Sequence, residues 1–471
     1  MDFPLVGPAY AGPIPDLNTQ TCVNLYPIPG GPGAKHAAGL LGTPGLTPFA
    51  HVGTRPIRGM HAFGANLIAI SGDTVYRVAE SGVSTPVGQL ATAEGPVRMS
   101  DNGRVVLIVD GAGGHLWDGN TLSPVTDPDF PAATTVAFVG GWFVLDNPAS
   151  DGEFMVTRLY ATDPADMIDA LDYATTEKNP DKLVALATHR GEAWLLGEKT
   201  TEVWYPSGEV FPLSPTGGAH ILMGCAAPGT VAHTPEAMLW LATGDLGQAQ
   251  VVMARGRTPE AVSTPAIDQA VSGYARVDDA SAYAYAQGGH TFYVITFPSG
   301  GATWAYDLTT GLWHRRGGWD GIRYTRHRSH GFAHFSGRHL VGDFATGAIH
   351  LIDPEAVTDS GDAIRRERTC PVIWNDRKPL FFRSLEIEFE GGVATGGTPR
   401  PQVMLDWSDD GGHRFGPNRQ AAIDDTAGER YGRRVRFSRL GSSRARVFRV
   451  ALSDPVKVAI VGATLEAEAG Q

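Results

Sequence analysis

The feature that most restricts the fold is a unit of short apolar strands and turns that returns along the chain. Residues 97–125, "VRMSDNGRVVLIVDGAGGHLWDGNTLSPV", run as strand, Asn-Gly turn, aliphatic strand, Gly turn, aromatic strand ending in Asp, and last strand. Residues 61–90 follow the same plan, and later copies begin near residues 134, 183, 237, 289 and 331. Equivalent aliphatic strands recur roughly every 40 to 50 residues, the period of four-stranded propeller blades. Six or seven blades would fill residues 54–360, although neither a WD nor a kelch signature keeps its place from copy to copy.

At 471 residues the chain has room for two or three domains, or for one large repeat domain with an appendage. Its 59 Gly and 33 Pro supply turns, while a 42% hydrophobic share is too high for a disordered chain. Residues 1–53, with "YPIPGGPGAK" and "GTPGLTPF", read as an extended Pro/Gly-rich arm lying over other surfaces. After about residue 361 the rhythm breaks and a different β set follows. Leu385, Ile387 and Phe389 alternate there with Ser384, Glu386 and Glu388, as in a sheet with one buried and one wet face. The expectation is an all-β protein: a six- or seven-bladed β-propeller between the N-terminal arm and a β-sandwich-like C-terminal domain over residues 361–471. Two short helices are expected as insertions, one capped near Thr162–Pro164 with Met167, Leu171 and Tyr173 on one side, the other at Ala266–Tyr274.

A net charge of −12 argues against a general electrostatic grip on nucleic acid. Cys22, Cys225 and Cys370 are far apart and odd in number, which suits assembly in a reducing cytoplasm better than a disulfide scaffold. The first residues carry no secretory pattern and no stretch approaches 18 apolar residues, so neither export by the standard route nor a membrane anchor is expected.

Motifs that carry chemistry are scarce. "GGPG", "GAGG" and "LLGEKTTEVW" lack the context or spacing of phosphate loops, and no Gly-x-Ser-x-Gly elbow occurs. His327, His330, His334 and His339 lie in a segment that reads as strand, where an i to i+4 pair is about 13 Å apart and cannot share a metal. A glycosidase would need two converging carboxylates, but Asp110, Asp118 and Asp307 sit where turn capping explains them. No catalytic residue, cofactor or metal is therefore assigned, and no enzymatic activity is expected.

Ser408, Asp410, Gly412 and Phe415 fit Ser-x-Asp-x-Gly-x-x-aromatic, which resembles the Asp-box of sialidases and related propellers. In that family the box is a hairpin fold-back without chemistry of its own, and here it falls outside the repeats. Arginines concentrate in two places. One segment interleaves Arg315, Arg316, Arg323, Arg326 and Arg328 with Trp313, Trp319 and Tyr324; the other alternates Arg434 and Arg436 with Val435 and Phe437. Such guanidinium forks suit a phosphate backbone or an acidic protein partner. The competing reading is ordinary wet strand faces with scattered ion pairs.

Taken in order, "CVNLYPIP" (22–29), "LLGTPGL" (40–46), "PIRGMHAFGANLIAISGDTVYRV", "WLLGEKTTEVWYPSGEVFPLSP", "GGAHILMGCAAPGTV", "GHTFYVITFPSGGATWAYDLTTGLWHRR" and "SDDGGHRFG…RRVRFSRLGSSRARVFRV" resemble the packaged-DNA stabilisation proteins, or tail hub and nozzle proteins, of short-tailed double-stranded DNA bacteriophages (podoviruses). The resemblance implies a structural virion protein of the phage tail, assembled in the host cytoplasm. It implies a homo-hexameric ring below the portal and the head-to-tail adaptor. Such a ring continues the channel for double-stranded DNA without reading its sequence, retains the packaged genome, and anchors tailspikes or fibres and a tail needle or plug. No functional residues carry over from the family. The rival readings are a propeller glycosidase or sialidase and a carbohydrate-binding phage adhesin.

Overall fold

The computed structural model describes residues 3–12, 14–158, 165, 167–176, 181–244, 247–390, 401–423 and 432–470. Blade one comprises Ile57–Phe63, Asn66–Ser71, Thr74–Ala79 and Ser84–Gln89, each antiparallel to the next. Blades two to six follow the same meander, starting from Arg98–Asp101, Val136–Val139, Leu183–His189, the split inner strand Gly224–Cys225 and Ala232–His233, and Ser281–Gln287. Blade seven takes Ser329–Phe335, Arg338–Asp343 and Ala348–Asp353, then closes with a strand from the opposite end of the domain, Gly45–His51.

Blades form at these places because each sheet is covered on both faces. Val106–Val109 is entirely buried, and such a strand reads as an aliphatic run without alternation. Hydrophobic clusters join every pair of neighbours: blades one and two around Ile70 and Trp117, two and three around Leu107 and Phe143, three and four around Phe154 and Leu195, four and five around Trp194 and Trp240. Further clusters join five to six at Leu241 and Tyr293, six to seven at Phe292 and Val341, and seven back to one at Phe335 and Leu67. Seven clusters between seven sheets means that the ring is closed.

The C-terminal part is a sandwich. One sheet holds Leu380–Glu390, Gly432–Ser443 and Ala459–Ala469, extended by Ala38–Gly42 and, at its edge, Leu25–Pro29. The edge position tolerates Pro27 and Pro29, which lack an N–H for the ladder. The facing sheet contains Gln402–Ser408, Arg419–Ala422, Ala445–Leu452 and Arg366–Thr369. Leu385, Ile387 and Phe389 point into the core with Leu405 and Phe448, while Glu386 and Glu388 face outward; Ser384 is buried as well.

Residues 22–51 join the two parts. Val23 pairs with Arg315 of blade six on one side and with Glu367 of the sandwich on the other, making one continuous sheet across the junction. Next to it, Asn24 stands at φ 53°, a conformation that Asn tolerates better than most residues. Its side-chain amide donates to Gly317 O and Arg365 O at 2.8 Å, and its Oδ1 accepts from Gly317 N at 2.9 Å. The Pro/Gly-rich N-terminal segment thus lies extended along its own chain.

Of the two expected helices, the second is present as Pro265–Ser272, capped by Thr264. The cap proposed for the first lies outside the described residues. Beyond it, Tyr173–Thr175 forms the fourth strand of blade three, and Leu171 is exposed. The reason is local: the Asp127 carboxylate accepts from the N–H groups of Met167 and Ile168 at 2.6 Å, holding that backbone without a helical turn.

Candidate functional site: arginine segments, turn carboxylates and the propeller axis

The first arginine segment runs from the last strand of blade six, Leu312–Arg316, through a loop to the first strand of blade seven. The sequence offers Arg315 and Arg316 as a partner interface or, alternatively, as an ordinary wet strand face. Pairing with Val23 covers that strand, and Arg316 is only 2% exposed. Its Nη1 donates to the Tyr285 hydroxyl at 2.7 Å and its Nε to His314 Nε2 at 3.1 Å, with the Phe292 ring 4.9 Å away. Among the described residues it has no ion pair. Arg315 lies half-buried over Tyr324, and Arg328 bridges Asp343 at 3.3 Å and Asp362 at 2.6 Å. Arg326 stacks 3.5 Å above the Phe344 ring. Arg323 is the exposed member, beside Asp320 at 3.5 Å. The segment therefore divides into a buried structural half and an accessible loop.

On the outer face of the sandwich, Arg434 meets Glu386 at 3.1 Å and Arg436 meets Glu466 at 3.3 Å, with Arg383–Glu468 and Lys35–Glu388 alongside. All four bridges include a side chain that is more than half exposed. Water screens all four, so they add little to stability. The ladder leaves this face zwitterionic.

The Asp-box-like turn is bonded to itself. Ser408 Oγ accepts from Gly412 N at 2.8 Å and donates to Asp410 Oδ1 at 2.6 Å, and the same carboxylate oxygen accepts from Arg414 N at 2.9 Å. Gly411 and Gly412 take φ of 74° and 97°, and the Arg449 guanidinium lies 4.0 Å over the Phe415 ring. Against the other flank of the turn lie Asp16 and Thr19 of the N-terminal segment.

The turn carboxylates are likewise engaged. Asp118 accepts from Thr121 N and Asn120 N, which hold its carboxyl below the usual range. Asp110 accepts from Thr92, Ala112 and Gly113, and Asp307 from Thr309 N and Thr310 Oγ1, with His290 Nδ1 2.7 Å away. The innermost strands of the seven blades surround an axial cavity of about 410 Å³ whose lining includes Arg98, His233 and His330 but neither Asp nor Glu. A pair of catalytic carboxylates is absent from that lining.

The histidine run is split by the pleat. His334 faces His339 across a strand pair, with ring centroids 5.3 Å apart, whereas His330 points to the axis and His327 is buried beside Ser329 Oγ at 2.8 Å. Burial, with Arg316 next to it, pushes His327 down to about 3 and holds His314 well below the usual imidazole range. These groups fold neutral, whereas in the unfolded chain they bind protons as pH falls through about 6.5. Their stabilising contribution is therefore lost as pH falls below that value. Asp359, raised to about 6 by burial, acts in the opposite sense, since its folded form gains a proton first. It offsets part of that loss. His233 and His330, both pushed by burial down to about 4, act in the same sense as His327 and His314, so stability is expected to fall between pH 7 and pH 5. Calorimetry at the two values checks it; an equal or higher Tm at pH 5 would contradict the assignment.

The family profile described as "Bacteriophage P22 Gp10, beta-propeller" matches residues 1–357, and the one described as "Bacteriophage P22 Gp10, beta-sandwich" matches residues 365–468. No curated protein matches the sequence. Similar solved structures include the Pan2 WD40 domain of Neurospora crassa, 9% identical with a TM-score of 0.43 over 66% of this chain and 96% of that one. A candidate 6-phosphogluconolactonase from Bacteroides uniformis is 14% identical, with a TM-score of 0.43 over 69% and 98% of the two chains.

Proposed function

The chain belongs to the bacteriophage P22 Gp10 family of phage structural tail proteins, and on that premise we propose that six copies form the hub ring of a short phage tail. Such a ring would sit below the portal and the head-to-tail adaptor, continue the DNA channel, keep the packaged genome inside, and carry tailspikes or fibres and a terminal plug. The observation that carries this reading is the span of the two family domains over nearly the whole chain. It is supported by the way residues 22–51 weld propeller and sandwich into one body, which suits a part that bears load.

Charge fits the same role. A net −12 per copy gives a channel wall that repels DNA and lets it slide, where a basic wall would hold it. The accessible loop around Arg323 is the place in the arginine segment where an acidic protein partner can dock. No helix among the described residues is long and apolar enough to cross a membrane.

Virions assembled without this chain test the proposal. Filled heads are expected to form and then lose their DNA, scored as DNase-sensitive genome and empty capsids. Stable, infectious, filled particles lacking the chain would overturn it.

A further inference from the structure

We propose that the propeller axis holds a binding site for a compact oxyanion, a phosphate or carboxylate group, gripped by the guanidinium groups of Arg98 and Arg326 beside His330. The axial cavity opens into a second one of about 480 Å³, and the two share Arg58, Arg98, Gly229, Ser281 and His330. Arg276 and Arg326 also line the outer cavity. Four arginines thus meet at one mouth of a chain whose overall charge is −12.

The fold itself saturates two of them. Every donor of Arg58 is taken: Nε by Gly95 O, Nη1 by Gly72 O and Thr92 O, and Nη2 by Thr92 Oγ1 and Glu94 O, all at 2.6–2.7 Å. Arg276 forks onto Asp278 at 2.7 Å. Arg98 and Arg326 remain. Among the described residues, the Arg98 guanidinium has neither a hydrogen bond nor an ion pair. Its Nη2 would lie 3.1 Å from a Cβ placed on Gly229, so the bare backbone of blade five is what leaves room for the guanidinium. Arg326 presents one face to Phe344 and donates to no carboxylate among the described residues.

His330 stands in the field of both, and burial together with Arg326 and Arg98 pushes it down to about 4. Its Nδ1 lies 3.4 Å from Ser281 Oγ, leaving a neutral imidazole that adds a polar edge without a third charge. Asp279 at the same mouth weakens the positive field: its Oδ2 accepts from Ser299 N and Oγ, neutral donors that leave its charge in place, and its Oδ1 is buried without a hydrogen-bond partner among the described residues. Two guanidinium groups that donate to no carboxylate among the described residues, set against the single charge of Asp279, are what charge-assisted binding of an oxyanion requires. A cavity of this size admits a phosphate or a small polycarboxylate and excludes a duplex.

The site does not depend on the tail-hub reading. Inorganic phosphate and citrate are titrated into the full-length protein at constant ionic strength set with NaCl, followed by calorimetry. Saturable binding is expected, weakened about tenfold or more in Arg98→Met and in Arg326→Met, and unchanged in the exposed control Arg444→Gln on the sandwich. Preference for phosphate assigns a phosphate-bearing ligand and preference for citrate a carboxylate; both support the site. Should the variants fail to fold, crystals of the wild-type protein soaked in selenate give the second readout, as anomalous density between Arg98 and Arg326. Absence of any response beyond NaCl, or equal binding in folded variants, would overturn the proposal.

Discussion

A chain lacking residues 1–44 is expected to lose its folded sandwich rather than merely an appendage. Leu5, Leu25 and Leu40 are at most 1% exposed, and Phe3 and Tyr26 are also buried. At about 1.5–3 kcal/mol for each such side chain, their removal forfeits roughly 8–15 kcal/mol, the size of a whole domain's stability. The polar consequences have the same sign. Arg368, fully buried, donates to Leu5 O at 2.7 Å, Pro8 O at 3.0 Å and Gln20 Oε1 at 3.3 Å. Truncation leaves that guanidinium without partners in the sandwich core. The Val23 bridge to blade six also disappears. Expression and far-UV circular dichroism of the truncated chain check the outcome, which is insoluble protein or non-cooperative melting. A soluble protein whose Tm is within a few degrees of the full chain would show instead that the segment serves contacts between copies.

Arg316→Ala is the single substitution with the largest expected cost, about 4 kcal/mol. Most of it comes from the cavity left by a large side chain at a buried site, and the rest from a Tyr285 hydroxyl and a His314 nitrogen that lose their donor. Arg316→Met refills much of that volume and removes a charge that has no carboxylate partner, so its cost is expected to be smaller. Arg323→Ala, seven residues on and exposed, is expected to stay within about 0.5 kcal/mol of wild type. Urea unfolding of the three variants measures the order. An Arg316→Ala protein as stable as Arg323→Ala would refute the buried placement and return the residue to the surface.

These two cases show what the sequence can and cannot disclose. Blades were legible because a sheet covered on both faces leaves an unbroken aliphatic run, as in Val106–Val109. The sandwich was legible from the alternation at Leu385, Ile387 and Phe389. Arg316 was not legible: its burial depends on a two-residue strand, Cys22–Val23, almost three hundred positions earlier. The same distance hides the destination of Gly45–His51, whose Pro and Gly content reads as a loose arm until Ala348–Asp353 supplies its partner. The axial cavity escaped for a related reason, because its lining residues come two to four at a time from all seven blades. Over residues 167–176 no helix forms, and nothing nearby in sequence announces it, since an Asp127 carboxylate forty residues earlier takes the N–H groups of Met167 and Ile168.

The most direct measurement is cryo-electron microscopy of intact virions at the tail vertex. The account predicts a six-fold ring on the tail axis into which the closed seven-bladed propeller and its welded sandwich fit as one rigid body, six times, around the DNA channel. Density for this chain only at peripheral fibre tips, or propeller and sandwich separated within the particle, would contradict it.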